Sequence, residues 1–223
     1  MHYFLVIHIT SSVCTIALIK HETVCSQTSV DKYTASKNLI PMIHNLLTSS
    51  SIMLSDVSCI IVNQGPAPFS TLRSVLATVN GLHLATAIPL VGIDTLKAML
   101  YEYKNSTHRT IVLLNAFNND VYFAIEQYDS NPLTGYKKID ALASDIAHTY
   151  NNEQIIFIGD GALIHKEVIS TTLGDNALIS LNAPHFCSLE YLSTLGLQQY
   201  KKGITNSHYL LPLYLKKHPV ELL

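Results

Sequence analysis

Two stretches of this chain are built to one plan, and that repetition constrains the fold more than any other feature. LVIHITSSVCTIAL (residues 5–18) and VLLNAFNNDVYFAI (residues 112–125) each consist of two apolar runs joined by a short polar turn, and they align with the turn in register. Apolar runs of this length, rich in Val and Ile and punctuated by Ser or Asn, read as paired β-strands. The segments after each hairpin also repeat in order, with helices and strands alternating. That order points to an α/β protein made by internal duplication of a meander followed by helices and strands.

In the first half, Tyr3–Ile9, Val13–Ile19 and Val24–Val30 read as strands. Over Ala35–Leu47 the period changes: Leu39, Ile43 and Leu46 share one helical stripe, with Ile40 and Leu47 beside it. Ser36 is the expected N-cap, and Pro41 is placed near the first turn, where a missing N–H costs least. A strand over Ser58–Asn63 runs into the turn-forming Gln64-Gly65-Pro66-Ala67-Pro68. A helix follows with Leu72, Val75, Leu76, Val79 and Leu82 at three- and four-residue spacing, capped by Ser70. Ile88–Ile93 is the next strand, and Asp94 or Thr95 caps a helix ending near Lys104.

The polar Asn105-Ser106-Thr107 is the expected linker, dividing the chain into residues 1–104 and 105–223. Beyond it, Thr110–Asn115 and Val121–Gln127 form the second hairpin around Asn118-Asn119. Helices over Ala141–Tyr150 and Leu189–Lys201 flank a strand at Gln154–Ile158.

Composition narrows the function classes. Fourteen Lys and Arg against sixteen Asp and Glu leave no basic excess, whereas a protein gripping nucleic acid unaided needs a cation for each neutralised phosphate. Lys216 and Lys217 beside His218 form the nearest basic cluster and are too few for that task. Only 13% of residues are Lys, Arg, Asp or Glu, which is consistent with some surface being covered by a partner. Cys14, Cys25, Cys59 and Cys187 form no CxxC pair and no framework, so free thiols in a reducing compartment are expected. No apolar run approaches the roughly 20 residues of a membrane-spanning helix. A cytoplasmic location and no membrane partner are the expectation.

The segment QGPAPFSTLRSVLATVNGLHLATAIPLVGIDTL, residues 64–96, carries a resemblance. It is similar to the signature of the TsaB (YeaZ) family, in which a GPGSFTGLR-type loop leads into a helix and then an IPLVG strand. Gly65, Pro66, Phe69, Leu72 and Arg73 match the loop, and Ile88 to Gly92 match the strand. LVIHITSSVCTIAL resembles the family's opening hairpin, and SKNLIPMIHNLL its HSxxLLPMIxxLL helix. LLNAFNNDVYFAI resembles its DARxxEVYxA hairpin, IIFIGDGA its VxGDGA turn, and PLYLKK its closing PxYLR. The resemblance spans nearly the whole chain. It implies a duplicated βββαβαβα unit in two subdomains, the actin, sugar-kinase and Hsp70-like (ASKHA) fold.

It further implies a scaffold subunit that pairs with a catalytic TsaD-type paralogue, with a TsaE-type ATPase completing a ternary complex. The reaction is transfer of threonylcarbamoyl from its adenylate to N6 of adenosine 37 in tRNAs reading ANN codons. tRNA is then met indirectly, and a homodimer forms when the chain is alone. ATP or threonylcarbamoyl-adenylate has its place at the junction of the complex, and none is bound independently.

Within that resemblance the chain departs from pattern where chemistry would sit. Phosphoryl and acyl transfer on such a fold need carboxylates at the ends of both hairpins to hold a hard cation or orient a nucleophile. Here the first hairpin has His8-Ile9-Thr10 in place of Asp-Thr-Ser, and the second has Asn115-Ala116-Phe117 in place of Asp-Ala-Arg. The signature loop carries Ala67-Pro68 for Gly-Ser and Ser70-Thr71 for Thr-Gly. Pro68 removes an anion-binding N–H. Asp120 and Asp160 are the acids left in matching motifs, and the Gly159-Asp160-Gly161 turn reads as structural.

None of the eleven histidines has another four residues on, so the HxxxH metal motif of the catalytic paralogue is missing. No GxSxG, GxxxxGK or complete GxGxxG occurs either. No catalytic residue, metal site or independent cofactor is expected. Carried over by position, the partner interface is expected from Leu39, Ile40, Ile43 and Leu47 on the first helix and from Leu72, Val75, Leu76, Val79 and His83 on the second. Packing of each helix on its own sheet competes for the same residues. A self-sufficient kinase or peptidase of the same superfamily, and a stand-alone structural homodimer, are the alternatives.

Overall fold

The computed structural model describes residues 2–128, 130–179, 182, 184–206 and 209–215. Lys216, Lys217 and His218, and with them the last residues of PLYLKK, lie outside these. The described chain contains two five-stranded sheets.

The first sheet has the order β3-β2-β1-β4-β5, from β1 (Tyr3–Ile9), β2 (Val13–Lys20), β3 (Thr23–Asp31), β4 (Val57–Gly65) and β5 (Leu90–Asp94). β1, β2 and β3 form an antiparallel meander, and β4 and β5 add in parallel beside β1. α1 (Ala35–Ser49) connects β3 to β4 by way of a short 3-10 turn, and α2 (Phe69–Thr86) connects β4 to β5. α3 (Thr95–Glu102) follows.

The second sheet has the order β10-β9-β6-β7-β8. Its members are β6 (Arg109–Asn115), β7 (Asp120–Ile125), β8 (Leu133–Lys138), β9 (Ile155–Ile158) and β10 (Ala177–Ile179). α4 (Ile139–Thr149) leads from β8 to β9. α5 (Asp160–Ile164) and α6 (Lys166–Leu173) lead from β9 to β10, and α7 (Leu189–Lys201) comes last. The two sheets have one topology: meander, parallel strand, parallel strand. This is the internal duplication read from the paired hairpins, and it has the βββαβαβα order of the ASKHA fold that the resemblance implies.

Burial explains which strands read most clearly. β1 lies inside its sheet and is buried at every position from Phe4 onward, so it is a continuous apolar run. β3, at an edge, alternates between exposed and partly buried and carries Ser, Thr and Gln. On one face of the first sheet, Leu39, Ile43, Leu46 and Leu47 of α1 and Leu72, Val75, Leu76 and Val79 of α2 join Ile60 and Val62 in one core. Ile61 points to the opposite face, against Gly196 of α7, where a Cβ would sit 2.3 Å from the isoleucine methyl. α7 begins at a true cap, with the Tyr191 N–H donating to Ser188 Oγ at 3.0 Å.

The contacts divide the chain differently from the 1–104 and 105–223 split. One compact unit is Met1–Thr95 together with Ser188–Leu213, and the other centres on Leu96–Cys187. The Asn105–Thr107 segment is a tight turn inside the second unit, closed by Asn105 Oδ1 accepting the N–H groups of Thr107 and His108. α7 belongs with the first unit because it covers the second face of that sheet.

Two cap assignments and the place of one proline are corrected. The N-cap of α1 is Thr34, without a side-chain bond, and Ser36 lies within the helix. Pro41 is inside α1, past the first turn. Pro68 holds the N-cap position of α2, which places Ser70 inside the helix. β8, α5, α6 and β10 had no counterpart in the sequence pattern. Among the described residues, no helix is long and apolar enough to cross a membrane.

Candidate functional site

The turn between β1 and β2 is held by hydroxyl and amide side chains. Thr10 Oγ1 accepts the N–H groups of Ser12 and Val13, and its own hydroxyl donates to Val13 O. Behind it, buried Asn63 accepts the Ile9 N–H at 2.8 Å and donates to Ile9 O at 2.8 Å and Thr95 Oγ1 at 3.2 Å. Lys32 Nζ donates to Ser11 O at 2.6 Å, and the Thr71 hydroxyl donates to Lys32 O, joining the turn to the start of α2. At the end of β1 sits His8, 4% exposed. Burial pushes its imidazole down to about 4, opposed by a weaker pull upward from the Glu190 carboxylate. At neutral pH the position where a carboxylate would be needed therefore holds an uncharged ring.

The second hairpin, between β6 and β7, is tighter. Phe117, Asn118 and Asn119 all have left-handed φ, at 60°, 54° and 61°. Asn115 Oδ1 accepts the Phe117 N–H, which closes an Asx turn. The Asn115 N–H donates to Asp160 Oδ1 at 3.0 Å. Asp160 is brought there by glycine: at Gly159, φ is +98° and a Cβ would lie 2.1 Å from Leu113 O. Burial raises the Asp160 carboxyl, against backbone N–H donors from Asn115 and Gly161 that favour its charged form. Asp120 is also buried and engaged, accepting from the Tyr136 hydroxyl and lying 3.7 Å from Lys138 Nζ. Both acids thus serve the backbone and strands around them. Among the described residues, no three His, Cys, Asp or Glu side chains converge as metal ligands.

The signature loop ends β4 and begins α2. Gly65 and Pro66 are buried. Phe69 and Arg73 stand outside, with the guanidinium 3.9 Å from the ring centroid. Two amides that carried no signal in the sequence organise its surroundings. The Gln64 side chain fills the space above Gly92 and its Nε2 donates to Leu211 O, while the Gln64 backbone carbonyl accepts the Leu213 N–H. Asn80 holds Leu210 with two bonds, accepting its N–H at 2.8 Å and donating to its carbonyl at 3.0 Å. Together they seat residues 210–213 beside α2. Neighbouring-strand logic could not reveal this, because these partners lie far apart in the chain.

The expected partner face requires the largest correction. Leu39, Ile43, Leu47, Leu72, Val75, Leu76 and Val79 are each at most 5% exposed and form the core of the first unit. None of them is accessible to another chain. His83 is tied to its own helix end, with Nδ1 2.7 Å from Ile88 O. Ile40 alone among the nine is an exposed apolar residue.

The surface that α1 and α2 do present is different. From α1 it comprises Ile40 and His44, and from α2 a stripe of Arg73, Ala77, Gly81 and Leu84 at four- and three-residue spacing. Leu84 is 88% exposed. Gly81 has no atom within 4 Å of where its Cβ would be, so nothing within this chain requires glycine there, although glycine in a helix interior costs about 1 kcal/mol relative to alanine. Beside this stripe, a 410 Å³ groove is lined by Ile40, His44, Ile52, Met53, Leu54 and Leu82.

Residues 32–221 match the family model described as TsaD: tRNA N6-adenosine threonylcarbamoyltransferase. The chain is 27% identical over 147 residues to the tRNA threonylcarbamoyladenosine biosynthesis protein TsaB of Escherichia coli, a match that spans 65% of this chain and 64% of that protein. It is 23% identical over 205 residues to the TsaB of Bacillus subtilis, spanning 90% and 88% respectively. The solved structure of YeaZ from Pseudomonas aeruginosa superimposes with a TM-score of 0.73 at 20% identity, over 96% of this chain and all of that one.

Proposed function

The chain belongs to the tRNA N6-adenosine threonylcarbamoyltransferase family, among its TsaB/YeaZ members, and from that premise we propose that it is a non-catalytic subunit in threonylcarbamoyladenosine biosynthesis. Its partner is a TsaD-type paralogue, with a TsaE-type ATPase joining them, and tRNA is met through the complex. The observation that carries this reading is the chemistry at the hairpin ends. His8 is buried and uncharged, Asn115 caps a turn, and Asp120 and Asp160 are already engaged by Tyr136 and by the Asn115 N–H. Neither His8 nor Asn115 offers a carboxylate to hold a magnesium ion, and the acids near the turns are committed to backbone and strand contacts, so in this reading the chain by itself neither hydrolyses ATP nor transfers an acyl group. Nucleotide or adenylate is held at the junction with the paralogue.

The partner docks on the outer face of α1 and α2. Small residues on a helix let another backbone approach closely, and a neighbouring apolar groove gives a protruding side chain a place to insert. Ala77 and Gly81 offer the first, and the groove beside Ile40 the second. The same face pairs two copies when the paralogue is absent, since an apolar surface of this kind rarely stays uncovered.

Co-purification with the TsaD-type paralogue of the same organism tests the reading. Ile40→Arg combined with Ala77→Arg should abolish the complex while the melting temperature stays within a degree or two, because both positions face solvent. Val79→Arg, which buries a charge at a position 0% exposed, should instead unfold the first unit. Formation of modified tRNA in a reconstituted mixture should require this chain and be lost with the double variant. ATP or peptide turnover by the chain alone at ordinary enzyme rates, or pairing that survives the double substitution, would overturn the proposal.

A further inference from the structure

Residues 209–213 lie beyond α7 and are clamped to the first unit by one residue of α2 and one of β4. Asn80 grips Leu210 at both backbone groups, accepting its N–H at 2.8 Å and donating to its carbonyl at 3.0 Å. Gln64 holds the other end. Its Nε2 donates to Leu211 O at 2.9 Å, and its backbone carbonyl accepts the Leu213 N–H at 2.9 Å. Leu213 O lies 3.8 Å from where a Cβ of Gly65 would be, so this strap runs from the middle of α2 to the loop that precedes the helix. Leu210 is 1% exposed and joins the core of the first unit as the apolar anchor of the strap.

The side chains around that anchor point outward. Tyr209 is 58% exposed, Leu211 62% and Leu213 37%. Seating the strap takes backbone groups and Leu210, and gives no reason for three large apolar side chains in water. Their place beside α2 gives one. Ala77 stands three residues before Asn80 and Leu84 four residues after it, so both are its neighbours on the helix surface. The strap therefore borders the outward stripe of α2. Leu82, which lines the groove beside Ile40, is two residues from Asn80 and so on the opposite side of the helix. Groove and strap flank the stripe on its two sides.

We infer that residues 209–213 are a third element of the partner face, contacting the TsaD-type paralogue chiefly through Leu211, and that Asn80 and Gln64 are positioning residues that hold this strap in place. The inference rests on the docking proposed above, because a chain lying on Ala77 and Leu84 meets the strap at the margin of the stripe. A stable interface covers about 800 Å² on each partner. A stripe centred on Ala77 and Gly81 offers little side-chain area of its own, and the strap widens it with uncharged, apolar surface.

The test measures affinity of the full-length chain for the TsaD-type paralogue of the same organism by biolayer interferometry, alongside melting temperature and amide hydrogen exchange. Leu211→Glu should weaken pairing about tenfold and leave the melting temperature unchanged, since the side chain is exposed. Asn80→Ala should speed exchange at Leu210, and also at Leu213, whose own acceptor on Gln64 is untouched, and should weaken pairing by a similar factor. In the Asn80→Ala background, Leu211→Glu should then cost little more, because a released strap no longer presents Leu211. A clamp that served only the fold would show no such coupling. In the parent chain, exchange at Leu210 and Leu213 should slow when the paralogue binds. If Ile40→Arg with Ala77→Arg abolishes pairing but Leu211→Glu does not weaken it, the inference falls and the proposed docking stands. If the parent chain does not pair at all, both fall. The inference is also overturned if Asn80→Ala speeds exchange without changing affinity, or if Leu211→Glu dissociates a homodimer and spares the complex, which would make the occupant a second copy.

Discussion

The buried imidazole of His8 makes a quantitative prediction about acid stability. In the folded chain it takes a proton only near pH 4, whereas in the unfolded chain it titrates at its ordinary 6.5. Between those values the unfolded state binds more protons, so stability falls as pH drops through this window and is complete above pH 6.5. Each tenfold gap in proton affinity is worth about 1.4 kcal/mol, which makes the whole effect about 3 kcal/mol and the loss between pH 7.5 and pH 5.0 about 2 kcal/mol. The measurement is urea unfolding at both pH values, followed by far-UV circular dichroism. Tyrosine emission can serve as a second probe, because the chain has no tryptophan.

His165 is lowered by burial as well and adds acid sensitivity of its own. The informative quantity is therefore the difference between the parent chain and His8→Gln, which keeps a polar side chain but cannot titrate. The variant should be less stable at pH 7.5, and its further loss on going to pH 5.0 should be smaller by about 2 kcal/mol. Parallel loss in the two proteins, or a His8 resonance titrating near its ordinary value in the folded state, would refute the reasoning.

Two other outcomes concern residues outside any proposed interface. Phe117→Gly should raise the melting temperature of the second unit, corresponding to about 1 kcal/mol, because φ of 60° strains a residue with a Cβ and the ring is 73% exposed; thermal unfolding by calorimetry reads this directly. Burial pushes Cys14 up to about 11, and Cys59 and Cys187 up to about 12, while Cys25 is exposed. Iodoacetamide at pH 8 should therefore alkylate one thiol per native chain and four after unfolding, as counted by mass spectrometry.

The fold was legible where burial and periodicity agree. β1, β2, β6 and β7 are apolar because they are enclosed, and α1, α2 and α7 announce themselves by their stripes. The elements without a sequence signal are those whose stability comes from neighbours. β8, with the sequence LTGYKK, has Lys and Gly where a strand pattern asks for apolar residues. Its place is secured by pairing with β7 and by the Phe123 ring lying against Gly135. α5 is a single turn set by the close approach of Gly159 and Gly161 to Leu113. No period can be read in so short a segment. The caps failed for a related reason: Thr34 and Pro68 start their helices by chain geometry without a side-chain bond, so the Ser residues that look like caps carry no weight there.

The partner face illustrates a more general limit. Leu39, Ile43, Leu72, Val75 and Val79 stand out in the sequence because they are apolar and helically spaced, and both properties are what a helix needs to pack on its own sheet. A stripe that strong is consumed by the fold. In the proposed docking, contact with another chain falls to the residues left on the outer side, and there the informative ones are inconspicuous. Ala77 and Gly81 look like indifferent helix positions. They become meaningful only once Gly81 is seen to have open space around it, so that no internal packing explains its cost to helix stability. The residue types at the two hairpin ends, by contrast, are read from sequence directly and need no structure. His8 and Asn115 lack a carboxylate in any conformation, and the structure adds that the acids nearest them in sequence pattern, Asp120 and Asp160, are already bonded.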